Sequence, residues 1–156
     1  MILKISLVVL ASLFLSCEAG HLGVPSDQVC FSRGGCVQVE VVQKQKELTR
    51  GLQFREFLGS NAGMLFIFSV SARHSFWMKD TKIPLDMIWM DYARRVVTIK
   101  KKVPPCQEDP CPVYTPDQAA MYVLEVNSGY SDTLGLQVGD QAMYKIHFDN
   151  RPAATP

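Results

Sequence analysis

The sequence predicts a mainly β fold: an antiparallel β-sandwich or barrel-like single domain with one or two short helices. Three observations carry that prediction. The stretch "VQVEVV" (Val37–Val42) alternates apolar and polar residues, which is the period of a half-buried strand. "GMLFIFS" (Gly63–Ser69) is a continuous apolar run, suited to a strand covered on both faces. Six or more such segments are separated by turn residues, a spacing that favours a sandwich or closed barrel over a helical fold.

The elements follow in order. After Val37–Val42 comes "KQKELTRGLQFREFL", where Leu48, Leu52 and Arg55 fall at helical spacing, as do Phe54 and Leu58. A short helix is expected there, weakened by Gly51 by about 1 kcal/mol. "SVSARH" (Ser69–His74) has little periodicity and reads as a loop. "SFWMKDTKIPLDMIWMD" splits near Pro84 into two strand pieces, Phe76–Lys79 and Leu85–Met90, because proline lacks the N–H that a ladder needs. "DYARR" makes a hairpin turn and "VVTIKKKV" returns. Pro104 to Asp117 is a long, proline-punctuated loop. Met121–Asn127 and Gln141–Phe148 are further strands, separated by a short helix or turn and by a tight turn at Gly139-Asp140. No internal repeat and no boundary between domains is visible.

The N-terminus reads as an export signal: Lys4 supplies a positive charge, and an apolar run follows from Ile5 to Leu15. That run is too short to span a bilayer as a helix, which takes roughly 20 residues. "LFLSC" looks like a lipobox, which would make residues 1–16 a lipoprotein-type signal and Cys17 the lipid-bearing first residue of the mature chain. A cut after Ala19, releasing a soluble protein, is the rival. On the first reading, residues 17–36 are a leader containing a Cys30/Cys36 loop, residues 37–150 are the β-rich domain, and 151–156 are a flexible tail. The expected location is the bacterial cell envelope, membrane-anchored or periplasmic.

Charge adds an exclusion. Removing Lys4 leaves fifteen basic and fifteen acidic residues, so no electrostatic case for nucleic acid exists. Arg94, Arg95 and Lys100–Lys102 form a local basic cluster that reads as a solvated hairpin rather than a lipid-headgroup contact. With Cys17 lipidated, Cys30, Cys36, Cys106 and Cys111 remain. An even number in an exported chain indicates disulfides, and the four allow three pairings. The local pairing, Cys30–Cys36 with Cys106–Cys111, closes two small loops, one turning on "RGG" and one bracketed by prolines. A four-cysteine zinc site is disfavoured, because the spacings are not those of close ligand pairs.

Four blocks carry a resemblance: "RGLQFRE" (Arg50–Glu56), "GMLFIF" (Gly63–Phe68), "FWMKDTKIPLDMIWMD" (Phe76–Asp91) and "YVLEVNSG…GLQVGD" (Tyr122–Asp140). "PPC…CPVY" (Pro104–Tyr114) is similar to the variant of exported members. Together they resemble family 192 of the domains of unknown function over roughly Val39–Phe148. The resemblance implies a compact, mostly β domain, often secreted or lipid-anchored, and supplies no activity. The chain departs from the family pattern at two positions: Asp80 stands where Asn is usual, and Gln53 where Met is usual.

No standard catalytic signature is present: no GxSxG elbow, no HExxH, no phosphate-cradling loop. Candidate site residues come instead from charges inside apolar stretches. Asp86 and Glu125 each sit in an otherwise apolar strand, where a buried carboxylate must be paired or protonated. Arg50, Arg55 and Lys79 are the available cations, and internal ion pairs such as Arg55 with Glu125 are the competing explanation. Trp77 should share a strand face with Lys79, opposite Phe76 and Met78. The expectation is a cleft lined by Arg50, Arg55, Trp77, Lys79, Thr81, Asp86 and Glu125. It would bind a small polar ligand, envelope glycan or protein partner without catalysis, and without a cofactor or metal. The chain is expected to be a monomer. Two alternatives stand beside it. One is a hydrolase using Asp86 and Glu125, which would need the two carboxyls about 5–10 Å apart. The other is a Cu(I) carrier using methionines with His74, although methionines spaced along strands are commoner as core.

Overall fold

The computed structural model describes residues 27–147. The signal segment, Cys17 and the 151–156 tail lie outside the described residues. The fold is mainly β, with two short helices and nine strands among the described residues. Seven strands form one curled sheet, a half-barrel, and two more pair as a small second sheet.

The chain begins with β1 (Gln28–Phe31) and β2 (Cys36–Val42), an antiparallel pair whose Cys30 and Cys36 face each other and form a disulfide. β1 falls in the segment assigned above to a leader, so the sheet starts earlier than residue 37. α1 (Gln45–Arg50) follows, with the Glu47 carboxylate returning to the Lys44 N–H at its start. The helix stops at Gly51, whose φ of 48° a residue with a Cβ adopts only under strain. β3 (Ala62–Ala72) then runs parallel to β2. In a sheet otherwise antiparallel this is the one parallel pair among the described strands, and β2–α1–β3 is the crossover connection that parallel strands require. β3 also extends into the segment read as a loop at Ser69–His74, as far as Ala72; its register against β8 breaks between Ile67 and Ala72, leaving an exposed end without clean alternation.

β4 (Phe76–Trp77) pairs only with β7 (Val113–Tyr114), in the second sheet. β5 (Leu85–Met90) is buried at every residue, between β6 (Val96–Val103) and β8 (Ala120–Asn127). α2 (Tyr130–Thr133) and β9 (Ala142–Lys145) complete the order β6-β5-β8-β3-β2-β1-β9. The two edges of this sheet meet at one end, where Arg95 bridges Gln141, the Val96 N–H donates to Asp140 O and the Ala142 N–H donates to Arg94 O. That contact curls the sheet.

Side chains alternate along each strand, so the sheet has a core on each face. One core joins Val29, Phe31 and Ala142 to Ile88, Leu124, Val126 and Val96, drawn from both ends of the sheet, so it lies inside the curl. The other joins Met64, Phe66, Met87, Trp89 and Val123, and is covered by Leu52 and Leu58 after α1, by Met78 and by the β4–β7 pair. Four methionines, Met64, Met78, Met87 and Met90, are core residues. Cys106–Cys111 forms the second disulfide, in the local pairing. It pins the loop carrying β7, and Cys106 bridges both Lys79 and Thr81.

Candidate functional site

The site lies on the face of the sheet under α1. Its floor is Glu125, in the middle of β8, with Met64 of β3 and Met87 of β5 as its neighbours across the two ladders. Phe66 and Phe68 follow Met64 on the same face of β3. The edge of Phe76 or Phe66 meets its partner at nearly a right angle, with centroids 4.9 Å apart, and Phe76 makes similar contacts with Phe68 and Trp89. The His74 ring lies flat on Phe68 at 3.6 Å and donates its Nε2–H to Val70 O at 2.8 Å. Trp89 in turn donates its indole N–H to His74 O, so the wall is tied to the core behind it.

These groups enclose a cavity of about 250 Å³, with Arg50, Gly51 and Gln53 on one side, Ser75, Phe76 and Trp77 on the other, and Thr81 beside them. Gly51 holds it open. A Cβ there would come within 3.2 Å of Phe66 Cζ and 3.9 Å of Glu125 Oε2. Trp77 is 48% exposed at the rim, as its strand parity predicts. Arg50, Gly51 and Gln53 also border a second recess containing Glu40 and Arg55.

Glu125 is 4% exposed, and no described residue donates a hydrogen bond or offers a cation to its carboxyl. Burial alone pushes the group up to about 8. It is therefore largely a neutral carboxylic acid at pH 7, able to donate and to accept. The phenylalanines of β3 and the core residues of the flanking strands take water from the carboxyl without supplying a hydrogen-bonding partner.

Of the seven predicted site residues, Arg50, Trp77, Thr81 and Glu125 come together at this cavity. The other three are elsewhere. Arg55 makes a two-pronged pair with Glu40 at 2.5 and 2.6 Å, not with Glu125, and the bond raises its pKa. Lys79 pairs with Asp109 on the disulfide loop, which raises its pKa, and it does not line the cavity. Asp86 is fully buried, but it faces the opposite side of the sheet. It stands opposite Val126, whereas Glu125 stands opposite Met87. Its oxygens accept from the backbone N–H groups of Lys102 (2.8 Å), Gly129 (3.1 Å) and Ser131 (2.8 Å). The Lys102 N–H is available because β6 bulges there: Leu85 pairs with Val103 and Met87 with Lys100, so two residues oppose Asp86, and Lys102 has φ 52°. Asp86 is a structural clamp. The two carboxyls of the hydrolase alternative do not face each other across a common pocket.

Sequence reasoning missed Gly51, Gln53, Phe66, Phe68, His74 and Phe76 as lining. The i, i+2 spacing of Met64, Phe66 and Phe68 was the available signal. Asp80 sits at φ 57° and accepts from Phe54 N–H through its backbone oxygen. Asp and Asn both tolerate that left-handed conformation, which accounts for either at this position. The basic cluster on β6 is also structural in part: Lys101 and Lys102 both bind Asp132, and these bonds pull its carboxyl down to about 2.

A fold built on a curled mixed sheet with an aromatic-walled cavity over a buried acid defines a compact β domain with a candidate binding site. The chain belongs to family 192 of the domains of unknown function, described as an uncharacterized ACR, whose model matches residues 29–144. Among solved structures it is similar to a protein of unknown function from Novosphingobium aromaticivorans DSM 12444, at 31% identity and a TM-score of 0.69, covering 76% of this chain and 83% of that one. It is also similar to a protein from Sinorhizobium meliloti 1021 described as a proposed transcription regulator, at 27% identity and a TM-score of 0.69, covering 78% of this chain and 98% of that one. No curated protein sequence matches it.

Proposed function

We propose that this chain is an exported, envelope-associated binding domain, without catalysis, whose site is the cavity over Glu125. The observation that carries the reading is Glu125 itself. A carboxyl with 4% exposure, at the floor of an aromatic-walled cavity and unpaired among the described residues, costs stability that packing does not return. Perturbed acids of this kind cluster at functional sites. Arg50 at the rim and Thr81 at the side supply polar contacts, and the exposed face of Trp77 supplies a flat apolar one. A small polar ligand, a sugar of an envelope glycan or one side chain of a protein partner fits these groups. The anchor would be a lipid on Cys17, with the domain monomeric at the membrane surface. The two disulfides agree with an oxidising compartment, and no helix among the described residues is long and apolar enough to cross a membrane.

Single-carboxylate binding is favoured over two-carboxylate hydrolysis because Asp86 is spent on three backbone N–H groups. The Cu(I) alternative has less support, since Met78, the methionine nearest His74 in sequence, is packed in the core at 1% exposure.

A thermal-shift screen of the mature chain against envelope glycans, peptides and metals tests the reading. A ligand at 100 times its Kd stabilises by about 2.7 kcal/mol. The expected result is a hit whose shift is lost in both Glu125→Gln and Trp77→Ala. Hits indifferent to both substitutions would contradict the assignment of the site.

A further inference from the structure

We propose that the group this cavity recognises is an organic cation, a primary or quaternary ammonium, paired with an ionised Glu125 and packed against the aromatic wall. The inference rests on the binding reading above and names the chemistry of its ligand. Three observations select a cation. The floor of the cavity is an acid with no described partner. Its walls are Phe66, Phe68, Phe76 and Trp77, and aromatic faces attract cations most strongly where water is excluded. Apart from Arg50 and His74, the polar groups around it, Gln45, Thr49, Gln53, Ser75 and Thr81, are neutral.

An anion would leave the carboxyl without a counter-ion, face the negative π clouds of the rings, and find its only cationic partner among the lining residues, Arg50, at the exposed rim. A cation satisfies the carboxyl and is desolvated against the rings in one step. The charged or titratable groups lining the cavity are Arg50 from α1, His74 ahead of β4 and Glu125 from β8; β3 and β5 present Met64 and Met87 to the same carboxyl. His74 donates to Val70 O and stacks on Phe68, so the one acid facing the cavity is Glu125. The step is an exchange: the Glu125 carboxyl releases its proton to solvent and the ammonium takes its place as the counter-ion. Binding is therefore linked to pH with a definite sign. Below the free group's pKa of about 8 affinity for a cation rises with pH, and above it the affinity levels off. A ligand that instead accepts a hydrogen bond from the neutral acid binds independently of pH below about 8 and more weakly above it.

Isothermal titration of the full mature chain with benzylammonium, tetramethylammonium, benzyl alcohol and benzoate at pH 6, 7 and 8.5 tests this. The expected result is ammonium binding that strengthens by about tenfold from pH 6 to 7 with one proton released, and less from 7 to 8.5. It should be abolished by Glu125→Gln and weakened by Trp77→Ala, an exposed position that leaves the core intact. Arg50→Ala should strengthen it a few-fold by removing a like charge. Benzyl alcohol or benzoate binding as tightly as benzylammonium, or ammonium affinity falling as pH rises, overturns the cation assignment and leaves the binding site standing. If none of the four probes binds or perturbs the Trp77 indole resonance, the cation assignment and the site reading both fall.

Discussion

Burial that pushes the Glu125 carboxyl to about 8 also marks the stability of the fold. In the unfolded chain the group titrates near its ordinary 4.5. Between about pH 4.5 and 8 the unfolded state loses this proton while the folded state keeps it, so rising pH favours unfolding by about 1.4 kcal/mol per unit. Below 4.5 both states are protonated and the penalty is absent. Above 8 it is constant. Glu125→Gln removes the titration, so denaturant unfolding should give equal stability for the two proteins near pH 4. At pH 8 the variant should be more stable, by roughly 2–4 kcal/mol. If Arg50 or any other cation paired with this carboxyl, the variant would instead be destabilised at neutral pH. Asp86 is the contrasting residue. Asp86→Ala leaves three backbone N–H groups without their acceptor, at Lys102, Gly129 and Ser131. Each costs about 1–3 kcal/mol, so a loss of about 3 kcal/mol or more in denaturant unfolding at neutral pH is expected. In sequence the two acids look alike, each alone in an apolar strand. Only the register of β5 against β8 assigns them to opposite faces, and register is set by pairing partners that neither strand contains.

At the scale of elements, the site depends on how α1 ends. Arg50 closes the helix, Gly51 turns the chain at φ 48°, and the turn passes over Phe66 and Glu125. Gly51→Ala should lower stability by about 1–2 kcal/mol from backbone strain and weaken any ligand of the cavity, because the new methyl group stands 3.2 Å from Phe66 Cζ. Denaturation midpoints and ligand Kd values, measured on one preparation, separate the two effects. The opposite rim hangs on the β4–β7 pair, which has only two register positions, and on Cys106, whose disulfide fixes the loop against Lys79 and Thr81. Replacing Cys106 and Cys111 by serine should cost about 2 kcal/mol. Amide exchange should quicken at Asp80, which donates to Cys106 O, and at Cys106, which donates to Met78 O, while exchange in β5 stays slow.

Across the whole molecule, the strands were legible wherever alternation or a buried run marked them: Val37–Val42, Leu85–Met90 and Met121–Asn127 lie within one residue of β2, β5 and β8. The parallel β2–β3 pair was hidden, although the helix lying between those strands was its signal. The four residues of β1 were hidden in the segment read as a leader, partly ahead of the Cys30–Cys36 loop and partly in it, because a strand that short shows no period. At the site, Trp77 was legible from parity alone, whereas the partners of Arg55 and Lys79, Glu40 and Asp109, come from segments far along the chain and carry no local mark. What unites the molecule is a sheet with a core on each face, one enclosed by the curl and one capped by α1 and the β4–β7 pair, with a single unpaired acid among the described residues set into the second. The direct test is the ¹³C carboxyl shift of Glu125 followed from pH 3 to 10 in the free mature chain. The structure predicts a midpoint near 8. A midpoint at or below 4.5 would mean that the carboxyl is solvated or paired, and would contradict the site on which the function is argued.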